Sequence, residues 1–507
     1  MLITEMLRRA AQLKGRETAV TSDTRQLTWN DVVERAGRLS GGLNALGMNR
    51  GDRVAVLSHN NIAFHDAYVA LPWAGCIMTC LNTRWSMAEL VDAINDSGAR
   101  ALLVDDHFEN IAHELAAQCR SLDYIIAAQN RAAKICWETL ATQSEPRSCC
   151  AESMHDLAYI FYTGGTTGRA KGVMISHLNF CAAAVARLHT GDFSEESIIA
   201  LSVPMFHVGG AAFMGASLAA AGQIRLLPSF EPRSAMAAVQ EVKATHVGWV
   251  PTMLSAILSH PEVGSFDLSS LRRITYGAAP MAPSLLAQAA NRLPNIGFVQ
   301  FYGMTESTAT GTWLSAADHH SADEKRTESI GRAWPTLELK IVNPDGSPAP
   351  QGEVGEICLR GPTIMSGYWR QPEKTAEVLK EGWLHTGDVG RLTDGGYVFL
   401  VDRLKDMIIT GGENVYSTEV ENVLLSYRGI RECAVIGIPN AHWGELVCAV
   451  LYVDPDVQLD TSMLEAHCRS LIAGFKLPRR IIQHSGPLPK SAIGKILKRN
   501  LREIYTE

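Results

Sequence analysis

A glycine- and threonine-rich loop at residues 162–172 carries the richest chemistry in the sequence. It reads Tyr162-Thr163-Gly164-Gly165-Thr166-Thr167-Gly168-Arg169-Ala170-Lys171-Gly172. Glycines let backbone N–H groups approach a polyanion, and hydroxyls with a lysine add donors for phosphate oxygens. The spacing is not that of a P-loop, in which four residues separate the first glycine from Gly-Lys-Ser/Thr. The loop predicts a phosphate site of another architecture, and the alternative is a plain surface turn.

Four further short segments contain residues that could act on a nucleotide. They are Tyr302-Gly303-Met304-Thr305-Glu306, Thr386-Gly387-Asp388, Asp402-Arg403-Leu404-Lys405-Asp406 and Ile493-Gly494-Lys495. Together with the loop, they resemble the motifs of the adenylate-forming enzymes, in the family order. That family includes acyl-CoA synthetases, beetle luciferases and peptide-synthetase adenylation domains.

The resemblance implies an AMP-forming carboxylic acid:CoA ligase. An acid and ATP would give acyl-AMP and pyrophosphate, and CoA would then displace AMP to give acyl-CoA. The expected acid is a medium- or long-chain fatty acid or an aryl acid. Two alternatives stay open: an adenylating enzyme that loads the phosphopantetheine thiol of a carrier protein, and an inactive nucleotide-binding regulator.

The resemblance also implies the catalytic residues, which are Lys495, Thr305, Glu306, His207 and Lys405. Attack of a carboxylate on the α-phosphate brings two anions together, so cations and donors are needed where charge accumulates. Lys495 would supply such a cation from the C-terminal domain, and Glu306 would hold Mg²⁺. Thr305 would bond the α-phosphate, and Lys405 would mark the pivot between domains. Taken alone, Glu306 could equally be a solvated loop acid and Lys495 one more lysine of a basic run.

The expected ATP and AMP site joins the loop to three later segments. Its residues are Thr163, Gly164, Gly165, Thr166, Thr167, Gly168, Lys171, Gly277, Ala278, Ala279, Tyr302, Gly303, Thr305, Asp388, Arg403 and Lys495. Tyr302 is expected to stack on adenine and Asp388 to accept from the ribose hydroxyls, because an ionised carboxylate only accepts. Arg403 is expected to bond ribose or phosphate. Gly164 stands where the family usually has serine, and Ala170 where it usually has proline.

Two further surfaces follow from the resemblance. The expected CoA residues are Gly411, Gly412, Glu413, Trp443, Phe475 and Lys476, and the expected acyl pocket consists of His207, Val208, Gly209 and Phe213. Glycines at 411–412 suit a narrow thiol channel. The small residues that follow His207 leave room for a sizeable apolar acid. Trp443 and Phe475 could instead be ordinary core or rim aromatics.

These residues need a large α/β scaffold to position them. From residue 28 the sequence alternates helical periodicity with short β-rich runs, as parallel-sheet βα units require. A Thr28/Asp31 capping box opens the first of these helices. After residue 330, strands separated by Asp-Gly, Gly-Glu and Gly-Gly turns predict antiparallel ribbons.

The predicted organisation has a large N-terminal adenylation domain at 1–401, with a β-rich subdomain at 330–401. A hinge is expected at 402–406, where charged residues interrupt two apolar strands. Residues 407–507 are expected to form a small, mobile α+β domain, with helices near 417–427 and 462–473. The fold class is thus α/β with a β subdomain and a separate C-terminal unit.

Composition limits the partners. The 507 residues have a formal net charge of -7, so there is no basic excess of the kind that binds nucleic acid. The 11 cysteines lack zinc-ligand and redox spacing, which favours reduced thiols in the cytoplasm. The amino-terminal segment predicts a short amphipathic helix that contains Leu7, Ala10, Ala11 and Leu13, and lacks the features of a signal peptide. No transmembrane segment is expected; peripheral membrane contact stays open, and a monomer or homodimer is expected.

Overall fold

The structure is a computed structural model. It describes residues 1–163, 170–279, 281–320, 324–411, 413–440, 443–491 and 496–506.

The strands, in chain order, are β1 (Thr18–Thr21), β2 (Gln26–Thr28), β3 (Arg53–Leu57), β4 (Ile77–Cys80), β5 (Ala101–Val104), β6 (Tyr124–Ala127), β7 (Leu157–Thr163), β8 (Lys171–Ser176), β9 (Ile198–Leu201), β10 (Gln223–Leu226), β11 (His246–Gly248), β12 (Arg273–Gly277), β13 (Gly297–Gly303), β14 (Gly311–Leu314), β15 (Arg332–Ala333), β16 (Glu338–Val342), β17 (Val354–Arg360), β18 (Gly367–Tyr368), β19 (Leu379–Lys380), β20 (Trp383–Leu392), β21 (Val398–Arg403), β22 (Ile408–Thr410), β23 (Glu413–Val415), β24 (Ile430–Asn440), β25 (Gly444–Val453) and β26 (Arg480–Gln483).

The α-helices are α1 (Ile3–Lys14), α2 (Trp29–Ala45), α3 (Ile62–Trp73), α4 (Met87–Ser97), α5 (Glu109–Gln118), α6 (Trp137–Gln143), α7 (His177–Thr190), α8 (Val208–Ala220), α9 (Pro232–Val242), α10 (Pro251–Ser259), α11 (Pro283–Arg292), α12 (Pro372–Val378), α13 (Ser417–Leu425), α14 (Thr461–Leu471) and α15 (Lys498–Tyr505). Short 3₁₀ turns lie at Val263–Ser265, Thr305–Ser307, Asp318–His320, Glu324–Glu328 and Gly474–Lys476.

Two large sheets form the N-terminal part. One has the strand order β18-β8-β7-β4-β3-β5-β6, and the other β15-β14-β13-β12-β11-β9-β10-β1-β2. The central strands of both pair in parallel. Their apolar runs, such as 54–57 and 101–104, are buried along their whole length, as strands covered on both faces must be. The predicted α/β class is confirmed.

Helices cover these sheets and begin where the sequence supplies caps. Thr28 accepts from the backbone N–H of Asp31 at 3.2 Å, and the Asp31 carboxylate accepts from the Thr28 N–H at 2.8 Å. This is the predicted capping box. Helix α3 is buried on every side, and α7 packs directly against α8. Helix α1 buries Ile3, Leu7 and Ala10, whereas Leu13 is 49% exposed, so Leu13 lies off the apolar face expected for it.

A smaller antiparallel sheet follows, with the order β16-β17-β20-β19 and β21 paired to β20. It matches the antiparallel ribbons predicted after residue 330. Asp402 and Arg403, expected in the hinge, are the last two residues of β21, where Arg403 pairs with Asp388 and Asp402 with Val389. Between β21 and β22 the chain turns at 404–407 and enters another sheet.

The C-terminal unit is built on the strand order β23-β22-β25-β24, with β26 parallel to β25. Helices α13 and α14 lie close to the helices predicted near 417–427 and 462–473. An apolar cluster that includes Val420, Leu424, Val447 and Leu464 forms between these helices and the sheet. The unit therefore has a hydrophobic core of its own, as a small domain requires.

Three histidines lie inside the N-terminal part: His65, His177 and His246, termed here the core histidines. Each is less than 5% exposed. Burial lowers the pKa of each to about 4, because the charged imidazolium is poorly solvated there. They are therefore neutral at physiological pH. Among the described helices, none combines the length and the apolar character that a membrane crossing needs.

Candidate active site

The base of the glycine- and threonine-rich loop is formed by two paired strands. β7 and β8 run antiparallel, and Thr163 lies opposite Lys171. The predicted phosphate residues Gly164, Gly165, Thr166, Thr167 and Gly168 lie outside the described residues. The structure therefore places the two flanks of the loop, at the carboxyl end of β7, where open α/β sheets bind ligands.

A lysine, a tyrosine and a glutamate meet beside these flanks. Lys171 Nζ lies 4.8 Å from the ring centroid of Tyr368, and the Tyr368 hydroxyl donates to Glu306 Oε1 at 2.8 Å. Burial, together with the Glu306 carboxylate, raises the pKa of Tyr368 above its usual range, so its hydroxyl stays a donor. Tyr368 is brought there because β18 pairs with β8, which places it opposite Val173.

A second cluster surrounds Asp388. Tyr302 Oη donates to Asp388 Oδ2 at 2.7 Å, and Arg403 Nε lies 3.0 Å from Asp388 Oδ1. Asp388 is only 3% exposed, and the cross-strand pairing of β20 and β21 sets Arg403 beside it. Burial and the neighbouring carboxylate raise the pKa of Tyr302 well above its usual range. An ionised carboxylate has about four acceptor positions, so both Asp388 oxygens can still accept from a ligand hydroxyl.

The carboxyl ends of β12 and β13 form the floor between these clusters. Gly277 lies opposite Phe301, and a Cβ on Gly277 would come 2.2 Å from the Phe301 carbonyl oxygen. Glycine is therefore required there. Ala278 follows in the left-handed region at φ 64°, a conformation that costs a non-glycine residue about 1–2 kcal/mol. Gly303 is exposed at the end of β13, and the half-buried Ala279 completes this edge.

His207 caps helix α8. Its Nδ1 accepts from the Gly209 N–H at 3.1 Å, which leaves the ring proton on Nε2. Desolvation by its neighbours lowers the pKa of His207 to about 4, so the ring is a neutral donor at Nε2. Val208 and Phe213 are buried along α8. The Phe213 ring lies against Gly248, where an added Cβ would come within 2.4 Å of it.

The expected pivot, Lys405, is exposed in the turn after β21. Contacts lie on either side of it: Asp402 accepts from the Ser417 N–H and hydroxyl, and Asp406 Oδ1 lies 2.9 Å from Arg502 Nη2. A proline at position 417 would have no N–H to donate to Asp402. Lys495 lies outside the described residues.

Several of the expected CoA residues are exposed in the C-terminal unit. Gly411 has φ 61° and donates its N–H to the Trp443 carbonyl at 2.8 Å; a Cβ there would lie 2.8 Å from the Trp443 ring. Trp443 and Phe475 are 36% and 39% exposed. Lys476 Nζ is 2.7 Å from the Glu419 carboxylate, so it is an ion-paired cation. Glu413 is exposed in β23, and the predicted CoA residue Gly412 lies outside the described residues.

The guanidinium of Arg479 lies 4.7 Å from the ring centroid of Trp443. Exposed aromatic rings beside cations suit a ligand that carries both a flat ring and phosphates.

Helix α7 supplies a buried arginine that the sequence did not single out. Arg187 is 2% exposed, and its Nη2 donates to the carbonyls of Thr308 and Ala309 at 3.0 Å each. Those two residues follow Thr305 and Glu306, and both adopt left-handed backbone conformations, at φ 54° and 55°. Burial lowers the pKa of Arg187 to about 9, so it is still a cation at neutral pH.

Comparison with known families decides the assignment. The family model for AMP-binding enzymes matches residues 7–369, and the family model for the AMP-binding enzyme C-terminal domain matches residues 419–495. The chain belongs to the AMP-binding enzyme family. The predicted resemblance to adenylate-forming enzymes is therefore confirmed.

Relatives of this AMP-binding enzyme match it over nearly its whole length. Feruloyl-CoA synthase of an Amycolatopsis species is 37% identical over 499 residues, which cover 98% of each chain. Long-chain-fatty-acid–CoA ligase FadD13 of Mycobacterium tuberculosis is 32% identical over 507 residues, 99% of this chain and 98% of that one. The crystal structure of ATP-bound MatB from Rhodopseudomonas palustris is 29% identical with a TM-score of 0.90, and covers 100% of this chain and 99% of that chain.

The site can hold the magnesium ion that the family assignment implies. Glu306 Oε1 accepts from the Tyr368 hydroxyl, and within the described residues no group donates a hydrogen bond to Glu306 Oε2. A carboxylate oxygen is a preferred Mg²⁺ ligand, since this cation takes oxygen donors and usually binds one or two carboxylates with phosphate oxygens. The chemistry at Glu306 therefore fits the ion.

Proposed function

We propose that this AMP-binding enzyme is an AMP-forming carboxylic acid:CoA ligase that acts on a medium- or long-chain fatty acid or an aryl acid. One observation carries the proposal. The Asp388 cluster, suited to a nucleoside, and the Glu306 cluster, suited to phosphates and a cation, are joined by one short segment from Tyr302 to Glu306. Because the two clusters are neighbours, one nucleotide bound at the end of β13 could contact both of them.

In the first step, the acid's carboxylate oxygen attacks the α-phosphorus of ATP, and the bond to the β-phosphate oxygen breaks to release pyrophosphate. Tyr302 and Asp388 would hold the adenosine, while Lys171 and Lys495 would donate to phosphate oxygens as charge builds up. When bound at Glu306, Mg²⁺ would neutralise phosphate charge. In the second step, the CoA sulfur attacks the acyl carbonyl, AMP leaves, and the thiol proton passes to solvent.

His207 would act as a hydrogen-bond donor at the boundary between acid and phosphate. Because its Nδ1 is occupied by the Gly209 N–H, only the protonated Nε2 faces other partners. A ring in this state can donate to a carboxylate or carbonyl oxygen but cannot take the thiol proton at Nε2. We therefore assign His207 to orientation of the acyl group rather than to base catalysis.

The acid class is supported by what α8 presents. Val208, Gly209 and Phe213 of α8 are uncharged and apolar, and such residues suit a pocket for a hydrocarbon or aromatic acid. Relatives named for ferulate and for long-chain fatty acids agree with this class. A panel of fatty, aryl and dicarboxylic acids, assayed for pyrophosphate release with MgATP and CoA, would identify the substrate. Release of ADP and phosphate would refute adenylation, and inactivity with every acid would favour a regulatory protein.

The role of Lys495 can be tested by separating the half reactions. We expect Lys495→Ala to block acyl-AMP formation far more than transfer from supplied acyl-AMP to CoA. Lys490→Ala is the matched control in the same basic run, because Lys490 Nζ lies 2.5 Å from Glu432 and has a structural partner. Equal losses in both half reactions of Lys495→Ala would contradict the assignment.

The acceptor can be tested on the exposed aromatic surface. If Trp443 contacts the nucleotide part of CoA, Trp443→Ala will raise the KM for CoA but leave the KM for pantetheine unchanged. The carrier-protein alternative predicts that both acceptors respond alike. Cytoplasmic location is part of the proposal, and it rests on the 11 cysteines, all described and all unpaired. A monomer or homodimer stays a prediction.

A further inference from the structure

Three metal-ligating side chains converge on the antiparallel sheet, on the strand that leads into Asp388. Glu356 and Cys358 are two residues apart on β17 and share a face, and Cys358 lies opposite His385 of β20. A register shift between Glu356 and Cys358 alters the pairing locally. One carboxylate oxygen, the Cys358 sulfur and one ring nitrogen of His385 all lie within 4.8 Å of one another.

One imidazole nitrogen of His385 contacts both of the other groups. His385 Nδ1 is 2.7 Å from Glu356 Oε2 and 3.5 Å from Cys358 Sγ. The second carboxylate oxygen, Glu356 Oε1, accepts from the Gly387 N–H at 2.9 Å. Cys358 is fully buried, whereas the side chains of Glu356 and His385 are 19% and 18% exposed. A small ion can therefore reach the cluster from the side of the carboxylate and the imidazole.

The distances among the ligand atoms of Glu356, Cys358 and His385 resemble the distances between ligands in a tetrahedral metal site. Zn–S of about 2.3 Å and Zn–N of about 2.0–2.1 Å at a tetrahedral angle separate sulfur from nitrogen by about 3.5 Å. The observed Sγ to Nδ1 distance is 3.5 Å. The nitrogen–oxygen edge of such a site is about 3.3 Å, so the Glu356 oxygen would have to retreat by roughly 0.6 Å. One long acidic side chain can make that movement.

We propose that Glu356, Cys358 and His385 form a binding site for a thiophilic divalent cation of the Zn²⁺ and Cd²⁺ class, with a fourth position left for water. A thiolate selects such borderline and soft ions over Mg²⁺. Binding releases the Cys358 thiol proton to solvent, and the imidazole proton passes from Nδ1 to Nε2, so that all three donors present a lone pair. The site is distinct from Glu306, which presents only oxygen.

The site couples to the nucleotide through Glu356. Its other oxygen holds the N–H of Gly387, the residue immediately before Asp388, and Gly387 has φ 71°. Retreat of the carboxylate toward a metal weakens that bond and disturbs the backbone that presents Asp388. Occupancy is therefore inhibitory and raises the KM for ATP; this last step rests on the proposed function, whereas metal binding does not.

Binding is tested first, without nucleotide, on the full-length protein carrying Cys149→Ser and Cys150→Ser to remove the two partly exposed thiols. Cd²⁺ is titrated while the thiolate-to-cadmium charge-transfer absorption is followed. We expect one Cd²⁺ per chain and loss of the band in Cys358→Ser. Cys448→Ser, which removes another fully buried thiol from an antiparallel strand, is the matched control and should keep the band.

A band that survives in Cys358→Ser, or that is lost equally in Cys448→Ser, would overturn the site. If Cys358→Ser does not fold, as judged by circular dichroism, His385→Asn keeps the thiol and should weaken Cd²⁺ binding at least tenfold in chelator competition. Unchanged binding in that variant would also overturn it. The inhibitory step is tested separately: equimolar Zn²⁺ should raise the KM for ATP in the parent but not in Cys358→Ser, and an unchanged KM in the parent would refute coupling alone.

Discussion

Replacing Arg187 with methionine should impair nucleotide activation even though Arg187 lies outside every sequence motif. Its guanidinium donates to the carbonyls of Thr308 and Ala309, directly after Thr305 and Glu306. Left-handed backbone at two adjacent non-glycine residues persists only where the surroundings determine it. Methionine keeps the apolar contact area but removes both donors, so the loop carrying Glu306 is free to relax.

The size of the effect follows from the two lost bonds. A hydrogen bond that involves a charged group contributes about 1.5–3 kcal/mol, and the lower value for both gives about 3 kcal/mol. If that energy holds the loop in its active position, kcat/KM for MgATP falls roughly 100-fold. Stability should change less, because removal of an uncompensated buried cation also removes its desolvation cost. Among the described carboxylates, none lies within ion-pair distance of Arg187.

The assay is acid-dependent ATP–pyrophosphate exchange, measured as kcat/KM for MgATP. Arg187→Lys keeps a cation that can reach one carbonyl, so we expect kcat/KM to recover about tenfold and to stay about tenfold below the parent value. Arg225→Met is the matched control: Arg225 is 5% exposed and donates to Leu226 O at 3.0 Å, and its carboxylate partners Asp23 and Glu241 lie outside the predicted site. Parent-like kcat/KM in Arg187→Met, or an equal loss in Arg225→Met, would refute the reasoning.

Three further outcomes are expected. Tyr302→Phe keeps the ring but removes the bond to Asp388, so the KM for ATP in pyrophosphate release should rise at least tenfold with kcat nearly unchanged, and an unchanged KM would count against the nucleoside cluster. Gly248→Ala forces the Phe213 ring to move, so the acid panel should shift toward smaller acids while the KM for ATP stays constant; an unaltered panel would exclude Phe213 from the pocket. The core histidines have folded pKa values near 4, below the unfolded value of about 6.5, so the unfolded chain binds more protons between these limits. The histidine contribution to the free energy of unfolding by urea should therefore be constant above pH 7 and fall from pH 6.5 toward pH 4. A flat profile between pH 6.5 and pH 4 would contradict their burial as neutral groups.

Sequence alone was enough to predict the buried strands, a helix start and the motifs of the site. Apolar runs such as 54–57 and 101–104 appear as buried strands, because a segment without polar faces is stable only between two covering layers. The capping box at Thr28 and Asp31 formed as expected, since both partners are three residues apart. Motif order likewise predicted the family, because each motif is a local pattern of side-chain chemistry.

Only tertiary structure decided which distant residues complete the site. Tyr368 reaches Glu306 across 62 positions because β18 pairs with β8, and Arg187 reaches Thr308 across 121 positions because of how α7 packs. The paired position of Cys358 and His385 depends on the register of β17 and β20. Strand order, register and helix packing are set by many long-range contacts acting together, whereas a sequence pattern reports only on neighbours within a few residues.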